Sequence, residues 1–285
     1  MVNEIKMKHY HFFHYLHDKN KQSHLVRANK RFILKTLLWL TFICSSSLTY
    51  AKDIIIASDI WCPYICQDAK KPGYVVEMIN DILADKKFNP KNEAMPLARA
   101  IKYLQSGDVD IVLGLTQQHI DHHLLSRSNM SVGTFANDFF VDSTNPWRYS
   151  TIEQLEEYAN NDHPIGIIKG YLYGDVISEL IAKNPNIFSY SHGNSPLQQN
   201  IKRLKSGRIS ILLDSKNTIL NEVKRLNIST LSYAGTQGSE SELYVGLSSN
   251  VDKQLLQVID QGISQYRLSG KLDKLLANYG ITDWQ

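Results

Sequence analysis

Two stretches of the chain repeat one another. Residues Pro96–Gly114 read PLARAIKYLQSGDVDIVLG, and residues Pro196–Asp214 read PLQQNIKRLKSGRISILLD. They stand one hundred residues apart with no gap, and nine of the nineteen positions are identical. Each copy has the same physical grammar. A Pro opens a helix, where its missing N–H costs nothing. Apolar residues follow at helical spacing: Leu97, Ile101 and Leu104 in one copy, Leu197, Ile201 and Leu204 in the other. A Ser-Gly pair stops the helix, because Gly takes the left-handed conformation cheaply. The short apolar run after it reads as a buried parallel strand. A chain built on this unit twice is expected to form two lobes of one architecture, each bringing a strand end to a shared cleft.

The charge is unevenly spread. Eight of the 31 Lys+Arg but only two of the 28 Asp+Glu lie in the first 51 residues, so the rest carries 23 basic and 26 acidic side chains, a net −3. Such a body has no electrostatic case for nucleic acid. The basic start is a targeting segment with a long n-region. Lys30, Arg31 and Lys35 precede the apolar run Thr36–Cys44, which is short for a membrane span. Small residues then lead to an expected cleavage after Ala51; an uncleaved anchor is the competing reading. Export leaves Cys62 and Cys66 as the only cysteines. An oxidising compartment favours a small disulfide loop there. Two cysteines without a nearby His make half a zinc site, and thioredoxin-type chemistry uses a two-residue spacer.

Beyond the leader, strands and helices alternate, which argues an α/β fold with parallel sheets. Asp53–Ser58 reads as a strand, and Gly73 opens a helix over Tyr74–Lys86. After the first repeat copy, Gly114–Thr116 reads as a loop. The polar stretch holding His119, His122 and His123 reads as a solvated loop, and Thr134–Val141 as a strand leaving the first lobe. Further on come a helix over Thr151–Tyr158, a strand over Pro164–Ile168, a turn over Lys169–Gly174, a helix over Asp175–Lys183 and a strand over Ile187–Tyr190. The second copy is followed by a helix over Ser215–Leu226, strands over Ser229–Tyr233 and Glu242–Leu247, and helices over Asp252–Leu268 and Gly270–Tyr279.

This order, with Asp59-x-Trp61-x-Pro63-Tyr64, Gly73-Tyr74-x-x-Glu77, the run ending Gly114-Leu-Thr116, the Ile167–Tyr171 turn and Leu212-Leu-Asp214, resembles the type II periplasmic solute-binding proteins. In particular it is similar to the family-3 group that supplies amino-acid-binding components of ABC importers. The resemblance implies two lobes, each a mixed, mostly parallel sheet flanked by helices, joined by a hinge of two crossing strands. Lobe 1 would span 52–136 plus 244–285, and lobe 2 would span 137–243. It implies a periplasmic, monomeric, non-catalytic protein that needs no cofactor and no metal. Its partners would be a small polar solute and an inner-membrane ABC permease. The cyclohexadienyl dehydratases resemble these binders too, so an enzyme on the same scaffold is the alternative, with a ligand sensor beside it.

Carried over by position, the resemblance puts Asp59, Trp61 and Tyr64 against the ligand from the first lobe, with the backbone and hydroxyl groups of Gly114 and Thr116. The turn holding Lys169 and Tyr171 would offer N–H groups at a helix start. Asp214 would receive a ligand ammonium, although it could instead cap the helix beginning at Ser215. One departure is plain. Where amino-acid binders have an Arg five residues after the Thr, this chain has Asp121, which cannot fork onto a carboxylate. Arg99 is the candidate replacement; its other reading is a surface ion pair.

Overall fold

The computed structural model describes residues 51–160 and 162–284. The leader read in residues 1–51 lies, apart from Ala51, outside the described residues. No helix among the described residues is long and apolar enough to cross a membrane.

β1 (Lys52–Ser58) turns Ile54, Ile56 and Ala57 into the interior. It pairs in parallel with β2 (Phe88–Ala94) and with β3 (Ile111–Thr116). The linking helices follow the apolar spacing. α1 (Tyr74–Asp85) buries Val75, Met78, Ile79 and Ile82, and α2 (Leu97–Ser106) buries Leu97, Ile101 and Leu104. Pro96 stands at the N-cap of α2 and Gly107, at φ +81°, at its C-cap. α3 (Gln117–His123) and the short β4 (Ser126–Arg127) lead into β5 (Gly133–Asp142).

The second half uses the same construction. α4 (Ile152–Tyr158), capped by Thr151, precedes β6 (Ile165–Ile168), α5 (Gly174–Lys183) and β7 (Phe188–Ser191). The second copy forms α6 (Pro196–Lys205), with Pro196 in the first helical turn, and β8 (Ile211–Asp214). α7 (Lys216–Arg225), β9 (Leu231–Leu247), α8 (Lys253–Leu268) and α9 (Lys271–Tyr279) complete the chain.

The strands run in the order β2-β1-β3-β9-β5-β8-β6-β7, with β4 also on β9. β5 and β9 pair antiparallel through the middle. On one side the first-copy strand β3 lies against β9, and on the other the second-copy strand β8 lies against β5. The repeated units therefore occupy equivalent places in two lobes that share a crossing pair. Side chains alternate across each lobe's sheet. Ile111 and Leu113 join the α1, α8 and α9 side, while Val112 joins the α2 side. Ile211 and Leu213 pack with the α5 side, while Leu212 packs with α6 and α7.

Three expectations are corrected. The strands read at Ser229–Tyr233 and Glu242–Leu247 are one continuous strand, β9, whose polar middle stays extended because it crosses between lobes beside β5. Gly114–Thr116 belongs to β3 rather than to a loop. The register shifts between Leu113 and Leu115, leaving Gly114, at φ +76°, as a bulge that a side chain would strain. The His-bearing stretch is helical, because Thr116 and His119 close a capping box at its start.

Candidate functional site

The loop after β1 is a stapled ring. Trp61 N–H donates to the Ile65 carbonyl at 2.7 Å, Ile65 N–H returns the bond to Trp61 at 3.0 Å, and Cys62 is disulfide-bonded to Cys66. The loop also grips the start of α1: Tyr74 N–H donates to Pro63 O and Val75 N–H to Tyr64 O. Gly73, at φ +98°, permits this approach, since a Cβ there would collide with the Tyr64 carbonyl. Inside the ring Trp61 stacks on Tyr64 with ring centroids 4.5 Å apart, and Tyr64 leans on Tyr74 at 5.4 Å. Phe135 meets the Trp61 ring edge-on at 5.5 Å. An aromatic column thus runs from the lobe 1 core to the cleft and fixes Trp61 at its tip.

Across the cleft, β8 ends in Asp214, which is 5 % exposed. Its Oδ1 accepts from Ser215 N–H at 2.7 Å and from Trp61 Nε1–H at 3.3 Å. Its Oδ2 is buried without a hydrogen-bond partner. Burial, with the Asp138 and Asp59 charges adding, pushes the carboxyl up to about 7 against the pull of those two donors. As a helix cap Asp214 reaches only the N–H of the N-cap residue Ser215. The Lys216 N–H opening α7 donates at 2.7 Å to Asp138 Oδ2, reaching over from β5. One oxygen of Asp214 is left for something else.

A matching pair crosses the other way. Tyr171 OH donates to Asp59 Oδ2 at 3.2 Å, while Asp59 Oδ1 accepts from Ile60 N–H. Burial raises the Asp59 carboxyl, and it lifts the Tyr171 phenol far above its ordinary range. Near the mouth, Gln118 spans the lobes. Its Nε2–H donates to Asp175 Oδ1 at 3.2 Å and its Oε1 accepts Gly174 N–H at 3.1 Å. These bonds tie the two lobes together across the cleft. Trp61, Tyr171 and Asp214 form the partition between it and a second space toward Gln67, Asn194 and Thr218.

Of the residues expected at the site, Asp59, Trp61, Gly114, Thr116, Tyr171 and Asp214 line the cleft. Tyr64 lies beneath it, bonding the Thr134 carbonyl at 2.8 Å and supporting Trp61 from below. Arg99 and Lys169 are exposed and do not line it, because α2 and the β6–α5 turn point them to solvent. The Thr116 hydroxyl is engaged in the α3 cap with His119. The anion site expected in the turn is partly used. Lys169 N–H donates to Ser191 O, Tyr171 N–H to Ile168 O, and Gly174 N–H to Gln118. Sequence reasoning missed His119, Phe135, Asn137 and Tyr173. Phe135 and Asn137 sit on the crossing strand, where only the pairing of β5 with β9 aims them inward. The Thr116–His119 spacing of a capping box was the one available signal for His119.

The model of the bacterial extracellular solute-binding proteins, family 3, matches residues 54–282. The chain belongs to that family. Solved structures share its fold at low identity. An ancestral arginine-binding protein bound to arginine superposes with a TM-score of 0.66 at 16 % identity, covering 81 % of this chain and 99 % of that one. A histidine kinase sensor domain with similarity to periplasmic binding proteins gives 0.67 at 14 %, covering 82 % and 99 %. An ancestral amino-acid-binding protein, a precursor of cyclohexadienyl dehydratase, gives 0.61 at 16 %, covering 80 % and 94 %. No curated protein matches the sequence. As a family-3 member the protein is an extracytoplasmic solute binder.

Proposed function

We propose that this family-3 protein captures a small, amine-bearing solute between its lobes and hands it to an inner-membrane ABC permease, without turning it over. It works in the periplasm as a monomer, after its leader is removed behind Ala51. The observation that carries the amine reading is Asp214. A buried carboxylate with one unpartnered oxygen, in a cleft that closes by lobe contact, is costly unless a cation meets it. Trp61 beside it offers an apolar face to cover the methylenes of that cation, or its ring to a cation–π contact. The lobes divide near residues 136/137 and 243/244. The hinge lies where the β5–β9 register breaks between Phe135 and Asn137, opposite Gln237–Ser241.

The test is Asp214→Asn, which keeps the shape and deletes the charge. Losing a charge-assisted hydrogen bond costs about 1.5–3 kcal/mol, roughly one to two decades of affinity by calorimetry for any amine the parent binds. Equal affinity in parent and variant would remove Asp214 from the site. The enzyme alternative predicts a changed solute after prolonged incubation, whereas a binder returns it intact by mass spectrometry.

A further inference from the structure

His119 lies at the foot of α3 and is 4 % exposed on the wall of the cleft. Its own helical turn fixes its ring. Thr116 N–H donates to Nδ1 at 3.3 Å, and Thr116 Oγ1 lies 2.8 Å from the same atom. A ring nitrogen that accepts a backbone N–H carries no proton, so the neutral imidazole keeps its proton on Nε2. Nε2 is on the ring edge turned away from the cap, and it is buried with no partner. Burial, with His123 and His122 nearby, holds the ring down to about 4, so it stays uncharged at neutral pH.

The other acidic or basic groups lining the cleft, among the described residues, are Asp59 and Asp214, and no Lys or Arg lines it. Asp121, at the position where amino-acid binders would place the clamping Arg, is exposed and takes a hydrogen bond from Gln117. A ligand carboxylate here would sit beside Asp59 and Asp214 with only neutral donors, and no Lys or Arg, to meet it. Burying an anion so poorly matched is unfavourable.

We propose that His119 is the specificity-determining residue of the cleft: its Nε2–H donates to a neutral acceptor of the solute, an amide, carbonyl, ether or hydroxyl oxygen. The site therefore takes amines without a carboxylate in preference to the corresponding amino acids. This rests on the amine reading of Asp214 and sharpens it. A charged clamp recognises an α-carboxylate. A neutral N–H in a cleft lined by two acidic residues disfavours it and leaves the ammonium as the anchor.

The experiment compares matched probes by calorimetry on the purified protein: arginine, argininamide and agmatine, and lysine, lysinamide and cadaverine. Within at least one set the parent should bind the amide and the decarboxylated amine at least about tenfold more tightly than the amino acid, the scale of one unmatched buried charge. His119→Leu removes the donor and keeps much of the bulk. It should weaken the amide by roughly two- to tenfold, the range of one neutral hydrogen bond, and leave the decarboxylated amine unchanged. His119→Gln, which retains an N–H donor, should restore amide binding. Tightest binding of the amino acids would overturn the inference while leaving the amine reading intact, and so would equal losses for all probes in His119→Leu. Binding of none of the six by the parent would overturn both. The ranking in the parent stands even if a variant folds poorly.

Discussion

Asp214 and His119 are shifted in opposite directions by the same cause, burial. Asp214 is pushed up to about 7 in the fold and His119 held down to about 4. Between about 4 and 7 the native state holds the Asp214 proton and the unfolded chain does not, so this group makes stability fall as pH rises. For His119 the unfolded ring takes up a proton below its ordinary value of about 6.5 while the folded ring stays neutral. Its contribution is present above that value and is lost as pH falls toward 4. From about 4 to 6.5 the two slopes oppose, each up to about 1.4 kcal/mol per pH unit. Asp59 and Asp138 are raised as well and form a common background. Thermal melts without ligand should therefore show Asp214→Asn gaining a more positive slope with pH than the parent in this window, and His119→Gln a more negative one. Identical profiles in all three proteins would contradict the burial of these groups. The charged half of this pair was legible in the sequence, since an acid at the end of an apolar strand points to a strand-end site. The other half was not, because the adjacent His122 and His123 make the stretch read as polar. Only the cap on Thr116 turns His119 inward.

The same division holds among the elements. Helices with one apolar face, such as α1 and α2, could be read because burial imposes a period on their residues, and β8 because a strand buried on both faces is a continuous apolar run. The middle of β9 could not. Its Gly235 and Gly238 and its polar run argue for a turn, and the ladder that overrides them comes from β5, about a hundred residues earlier. The stapled loop was legible as a bridge, while its role as the mount for Trp61 needed the stacking on Tyr64. Opening so small a ring in a Cys62→Ser, Cys66→Ser double variant removes about 2 kcal/mol of loop-closure effect, a melting shift of only several degrees at this size. Amine affinity should fall by about tenfold or more, because the residue over the cation loses its support. Titration of free thiols in the unreduced parent should find none from this pair. Gln118 belongs to the same scale. Gln118→Ala removes both mouth bonds and should speed dissociation of bound amine in stopped-flow, with little change in the rate of capture. A faster capture with unchanged release would assign the latch to the wrong step.

At the scale of the molecule, two copies of one helix–strand unit set on either side of β5 and β9 give two cores that can move as bodies, with little to resist at the broken register. Small-angle scattering should record contraction when a verified amine is added, and an unchanged radius of gyration would argue against hinge closure. The proposed centre of that closure is a cation held by Asp214. The most direct measurement is a crystallographic density map of the protein with the tightest-binding amine, or with whatever solute stays on it through purification. The expected result is an ammonium nitrogen within about 3 Å of Asp214 Oδ2, under the Trp61 ring. A carboxylate or an apolar group facing that oxygen, or a solute bound outside the cleft, would contradict it.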